Sequence, residues 1–237
     1  MGENVAGEPE GLLGRLGVPD LTALERAWSE RPLWRGRLHQ IAFFLTLPAG
    51  LFLLVEARSA AARVAVAVYV ASLAGLFGAS ASYHRLARSP AAIKWLRRLD
   101  HSMIFVLIAG TYTPICLLVL PKVWGIPLLV TVWVTALAGV IMKMVRVGTH
   151  GGKSGSWLYV VMGWAAVLML PQLLTHLDPV RIALLGAGGL LYTLGAVILA
   201  SQRPNPSPRH FGYHEVWHAF TVAAGVCHFV MISLVVR

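Results

Sequence analysis

Negative charge is scarce in this chain. Ten of its 237 residues are Asp or Glu, against twenty Lys and Arg. Six of the ten (Glu3, Glu8, Glu10, Asp20, Glu25, Glu30) precede residue 31, leaving Glu56, Asp100, Asp178 and Glu215 for the rest. Charge of both signs amounts to 13%, against about 25% in a soluble domain. That excludes an ordinary cytosolic enzyme and a charge-rich disordered tail. Cysteine is nearly absent as well. Cys116 and Cys227 sit inside apolar runs and read as small hydrophobes, so a secreted disulfide scaffold is excluded. The opening MGENVAGEPEG lacks a basic stretch leading into an apolar core, which argues against a cleaved signal peptide. Asn205-Pro206-Ser207 is no glycosylation acceptor, because proline takes the middle position. There is no internal repeat, and no low-complexity tract beyond the Pro-rich turn 204–208.

Apolar residues are abundant: 57% of the chain. At about 20 residues per span that suffices for six or seven membrane crossings. Seven apolar stretches run at 40–57, 63–84, 99–120, 123–145, 157–175, 180–200 and 213–236. The fold expected is an all-α integral membrane protein, a seven-transmembrane-helix bundle over 39–237 behind an N-terminal segment, 1–38. In that segment Thr22-Ala-Leu-Glu25 has capping-box form and predicts a short surface helix near 23–31. Pro48, Pro114, Pro127 and Pro171 fall inside spans and predict kinks.

The net charge of +10 is an orientation signal rather than a nucleic-acid signature. Fifteen Lys and Arg lie in the N-terminal segment (Arg15, Arg26, Arg31, Arg35, Arg37) and the second-to-third (Arg85, Arg88, Lys94, Arg97, Arg98), fourth-to-fifth (Lys143, Arg146, Lys153) and sixth-to-seventh (Arg203, Arg209) connections. Five (Arg58, Arg63, Lys122, Arg181, Arg237) lie on the other side. The asymmetry predicts a cytoplasmic N-terminus and an outside C-terminus.

Chemistry concentrates in two histidine motifs and one aspartate. The second span ends Ser80-Ala-Ser-Tyr-His84, the third opens at Asp100, and the seventh begins His214-Glu-Val-Trp-His218. In the predicted topology all three ends face the cytoplasm, at similar depth. His214 and His218, at i and i+4, share a helix face, as two imidazoles must to share a cation. With His84 they make three nitrogen ligands, which leaves the fourth position of a Zn²⁺ ion to water. Asp100 then either ligates or holds that water as a general base, and Ser80, one turn before His84, can hydrogen-bond the water or a carbonyl oxygen. Ionisable residues inside spans mark functional sites. The bland alternative is a set of histidines resting at the headgroup interface.

The string H-E-x-x-H also invites a zincin-protease reading with Glu215 as base, but no third ligand follows at the usual spacing. His228 lies about 21 Å along the axis from His214 and is expected to bond within the bundle. His101 and Ser102 read as caps or cavity lining. Thr111, on the face of Asp100, reads as either pocket lining or a backbone-bonded hydroxyl. His39, His150, His176 and His210 read as solvated.

The chain resembles the bacterial hemolysin III family, related to the progestin and adipoQ receptors and more distantly to alkaline ceramidases. The likeness rests on PLWRGRLH (32–39), SASYHRL (80–86), LDHSMIFVLIAGTYTPI (99–115) and FGYHEVWHAF (211–220) with His228-Phe229, and covers about residue 31 to the end. It implies a multi-pass protein of the bacterial inner membrane and seven helices with a cytoplasmic N-terminus. It also implies zinc held at His84, His214 and His218 with Asp100 near its water, and a lipid-accessible cavity. Among the relatives it points both to amide hydrolysis in ceramides and to cytolysis. Three functions therefore compete: an intramembrane zinc hydrolase acting on a membrane lipid amide or ester, a non-enzymatic sensor, regulator or pore with structural zinc, and the protease. No continuous charged pore lining is visible in the spans.

Overall fold

The computed structural model describes residues 31–146 and 157–237. The expected surface helix near 23–31 falls almost wholly outside them, as does His150. Seven helices are long and apolar enough to cross a membrane: α1 (Arg37–Glu56), α2 (Ala60–Leu86), α3 (Pro90–Leu118), α4 (Lys122–Arg146), α5 (Trp157–His176), α6 (Pro179–Ser201) and α7 (Tyr213–Val236). Among the described residues there is no strand, only one isolated bridge between Ser207 and Phe211. The protein is a multi-pass, seven-helix membrane bundle.

Most boundaries follow the apolar runs, and local chemistry sets the rest. α3 begins at Pro90, nine residues before the expected start. Ser89 caps it, accepting from the Ala92 amide at 3.2 Å, and proline fits the first helical position, where no amide partner is needed. Lys94, Arg97 and Arg98 are therefore helical rather than in a loop, and Asp100 lies three turns inside α3 instead of opening it. Lys143 likewise belongs to α4. α5 is interrupted: Trp164–Met169 winds as a 3₁₀ helix between two short α-helical pieces, with Pro171 in the first turn of the second.

Neighbouring helices pack α1 on α2, α2 on α3, α3 on α4 and α6 on α7, while α7 closes back onto α1 and α3. The core lies between them, around Leu53, Val66, Tyr69, Phe105, Met231 and Ile232. α2 and α3 approach closely because Gly110 lacks a side chain: a Cβ there would stand 2.1 Å from Ser72 Oγ. Thr46, Thr111 and Thr113 return their hydroxyls to carbonyls four residues back, so these buried polar groups are satisfied within their own helices.

Candidate metal centre

α2 delivers His84 in its last turn, and α7 delivers His214 and His218 in its first two. The three imidazoles meet. His84 Nε2 and His214 Nε2 are 3.1 Å apart, and one nitrogen from each of the three lies within 4.8 Å of the others. His84 and His218 are buried and His214 half-buried. Neither nitrogen of His218 has a hydrogen-bond partner. Nitrogens around a tetrahedral zinc ion stand about 3.3 Å apart, from metal–nitrogen bonds of about 2.0–2.1 Å. The converging edges, the 3.1 Å separation and the orphaned His218 nitrogens therefore fit a metal ion. Imidazole donors suit Zn, Fe, Ni and Cu alike.

Asp100 joins the cluster from α3. Its Oδ2 is 4.0 Å from His84 Nε2 and 3.9 Å from His101 Nδ1, beyond direct hydrogen bonding. Ser80, buried one turn before His84, interacts with the Asp100 carboxylate without completing a hydrogen bond. Ser80, His84, Asp100, His214 and His218 thus gather at one end of the bundle, from three helices.

Glu215 is fully buried, and both its oxygens are engaged. Oε2 accepts from the Gly212 amide at 2.8 Å, capping α7, and Oε1 pairs with Arg35 Nε. Its carboxylate holds the start of α7 in place, which is no position for a protease base.

Several residues here have roles not legible in the sequence. The approach to α1 lies across the site. Leu33 and Trp34 donate backbone bonds to the carbonyls of Arg209 and His210, and Arg31 Nη1 donates to the His84 carbonyl at 3.3 Å. Burial lowers the pKa of the Arg31 guanidinium from its ordinary value. Gly36 turns into α1 with φ of 76°, and a Cβ there would be 2.6 Å from that of His84. His39, expected to be solvated, is 2% exposed and stacks on His218. It faces inward because the first turn of α1 is drawn against α7. Lys143, counted among the connection charges, is 1% exposed, with its ammonium 5.2 Å from the centroid of Tyr159. The Tyr159 hydroxyl donates to the His101 carbonyl. The motif PLWRGRLH holds Arg35, Gly36 and His39, but only the fold reveals what they touch.

Other positions behave as their sequence context indicates. His228 Nε2 bonds the Leu185 carbonyl at 3.3 Å inside the bundle. His176 and His210 are exposed. Cys116 and Cys227 are free. His101, read as a cap or cavity lining, departs from the first of these: it lies within α3, where its Nδ1 bonds the Arg97 carbonyl.

Comparison with known proteins gives consistent matches. The sequence profile described as Haemolysin-III related matches residues 27–229, which include every residue of the cluster. The chain is 33% identical over 197 residues to Hemolysin-3 of Bacillus cereus, covering 82% of this chain and 86% of that protein. It is 32% identical over 197 residues to the Hemolysin-3 homolog of Bacillus subtilis (strain 168), covering 82% and 89%.

Proposed function

The chain belongs to the haemolysin-III related family, and from that premise and its histidine cluster we propose that it is a zinc-dependent hydrolase of a membrane lipid amide or ester. One observation carries the reading. Among the described residues the cluster has three imidazoles and no fourth protein donor, and a carboxylate stands 4.0 Å away. A structural zinc site is normally closed by four protein ligands, whereas a catalytic one keeps a position open.

His84, His214 and His218 would hold the ion. Bound zinc supplies Lewis acidity toward a carbonyl oxygen and lowers the pKa of water. The chain's own residues do the rest. Asp100, near the imidazoles but bonded to none, takes a proton at Oδ2. The Ser80 hydroxyl, buried with its hydrogen-bonding capacity unspent, donates to a carbonyl oxygen as negative charge develops there. The 31–36 segment is bonded to this end of the bundle through Arg31, Leu33, Trp34 and Arg35. The likeness to alkaline ceramidases favours an amide bond. The charge asymmetry supports a cytoplasmic site in the bacterial inner membrane.

A non-enzymatic reading is favoured by a different observation: the three imidazoles come from α2 and α7, so a metal would also tie these helices together.

Metal content, measured by elemental analysis of protein purified in mild detergent without chelators, separates the readings. The expected result is about one zinc per chain, lost in His84→Ala and His218→Ala and kept in Asp100→Asn. Turnover of lipid amides then falls in Asp100→Asn by roughly 10²–10⁴-fold. Metal retained with no turnover of lipid amides or esters by wild type favours the structural reading. Absence of stoichiometric metal from wild type overturns the centre.

A further inference from the structure

A histidine that ligates a metal normally has its ring plane fixed by a hydrogen bond from the other nitrogen to a carboxylate or carbonyl. His218 has none, since both its nitrogens are buried without partners. His84 and His214 meet it edge-on, with interplanar angles of 60° and 62°. Edge contacts with rings that share the same ion do not define its plane. His39 does. Its ring lies 3.8 Å from that of His218 and within 13° of parallel. The ring of Phe77 lies against His39 in turn, with centroids 5.1 Å apart.

This stack sits on a built support. Arg35 lies four residues before His39, and Glu215 three before His218. The Arg35–Glu215 ion pair and the His39–His218 stack are therefore successive rungs between the entry and first turn of α1 and the first two turns of α7. Gly36 lets the start of α1 also lie close against the end of α2, at His84. Because the two rings are nearly parallel, their in-plane lone pairs run side by side rather than converging, and His39 stands outside the three-histidine group.

We propose that His39 is a positioning residue of the metal centre: stacked on His218, it fixes the plane in which that imidazole meets the ion and so sets how tightly the ion is held. The inference rests on the metal-centre reading and concerns a residue outside the ligand set.

The test measures zinc affinity of the full chain in detergent, by competition with a chromogenic chelator, and the visible spectrum of the Co²⁺-loaded protein. Wild type is compared with His39→Ala, His39→Phe and, as a metal-free control, His84→Ala. His39→Phe keeps a flat ring and removes both nitrogens. The expected result is a loss of zinc affinity of about 10-fold or more in His39→Ala, in the range of other outer-shell partners, with altered Co²⁺ bands. His39→Phe should stay near wild type in both. Circular dichroism and thermal melting establish that each variant is folded. If His39→Ala does not fold, His39→Leu, which fills the space without a stacking face, takes its place. Unchanged affinity in the folded Ala or Leu variant overturns the proposal and leaves the centre standing. A loss in His39→Phe as large as in His39→Ala also overturns it, since a nitrogen would then be what matters. Wild type that binds neither Zn²⁺ nor Co²⁺ overturns the centre itself and this inference with it.

Discussion

α3 and the pair α5 and α6 are all apolar enough to cross a membrane, yet they occupy different surroundings. Within the apolar window of α3, 61% of residues are buried inside the bundle; in α5 and α6 the share is 11%. Lipid explains how similar sequences take such different places. An apolar side chain gains little by leaving lipid tails for a protein interior, so hydropathy says that a helix spans without saying where it packs. Polar groups carry that information, because an uncompensated one facing lipid is costly. Ser80, His84, Asp100, Glu215 and His218 all lie buried on α2, α3 and α7. On α5 and α6 the hydroxyls are spent locally, as where Thr193 bonds the Gly189 carbonyl and accepts from Trp164.

The contrast is tested hardest at the ion pair beside the site. Arg35→Ala would strand the fully buried Glu215 carboxylate and should cost about 3–5 kcal/mol, read as a lowered thermal midpoint in detergent. Arg35→Lys should recover part of it. Next come the glycines. Gly110→Val forces side-chain atoms into Ser72 and should cost about 1–3 kcal/mol. Gly186→Ala and Gly189→Ala, with nothing within 4 Å of the added carbon, should be neutral or gain up to about 1 kcal/mol. Equal losses at the inner and outer sites would break the comparison.

The smallest effect belongs to the periphery. Asp178, at the start of α6, accepts from the amides of Arg181 and Val180, and these bonds hold its carboxyl below the ordinary value of 3.8. A lowered pKa means that its contribution to stability is complete above that value and is lost as pH falls through the lower one. Melting of the wild type should therefore drop slightly more on strong acidification than melting of Asp178→Asn.

Much of this molecule was legible in its sequence. Apolar runs located the spans, and helical spacing with charge asymmetry picked out the histidines that the fold brings together. The departures share a cause. Lys94, Arg97, Arg98 and Lys143 read as loop residues because charge normally ends a span, whereas Ser89-Pro90 starts α3 early and the Tyr159 ring accommodates Lys143. His39 read as solvated because it lies beside the loop that enters the first span. The ring that buries it is 179 residues further along, and no local pattern reports a contact at that range. Glu215 looked available as a base for the same reason: Arg35 lies 180 residues before it.

The seam formed by Leu33 and Trp34 with Arg209 and His210, and by Arg35 with Glu215, joins the approach to α1 to the approach and first turn of α7. During synthesis α1, α2 and α3 enter the membrane with Ser80, His84 and Asp100 already aboard, while Arg35 waits for its counter-ion. Half of the ion pair and two of the three imidazoles arrive only with α7. Assembly of the centre thus waits for α7. A chain that stops after the sixth span would hold one of the three cluster imidazoles and a guanidinium without its carboxylate.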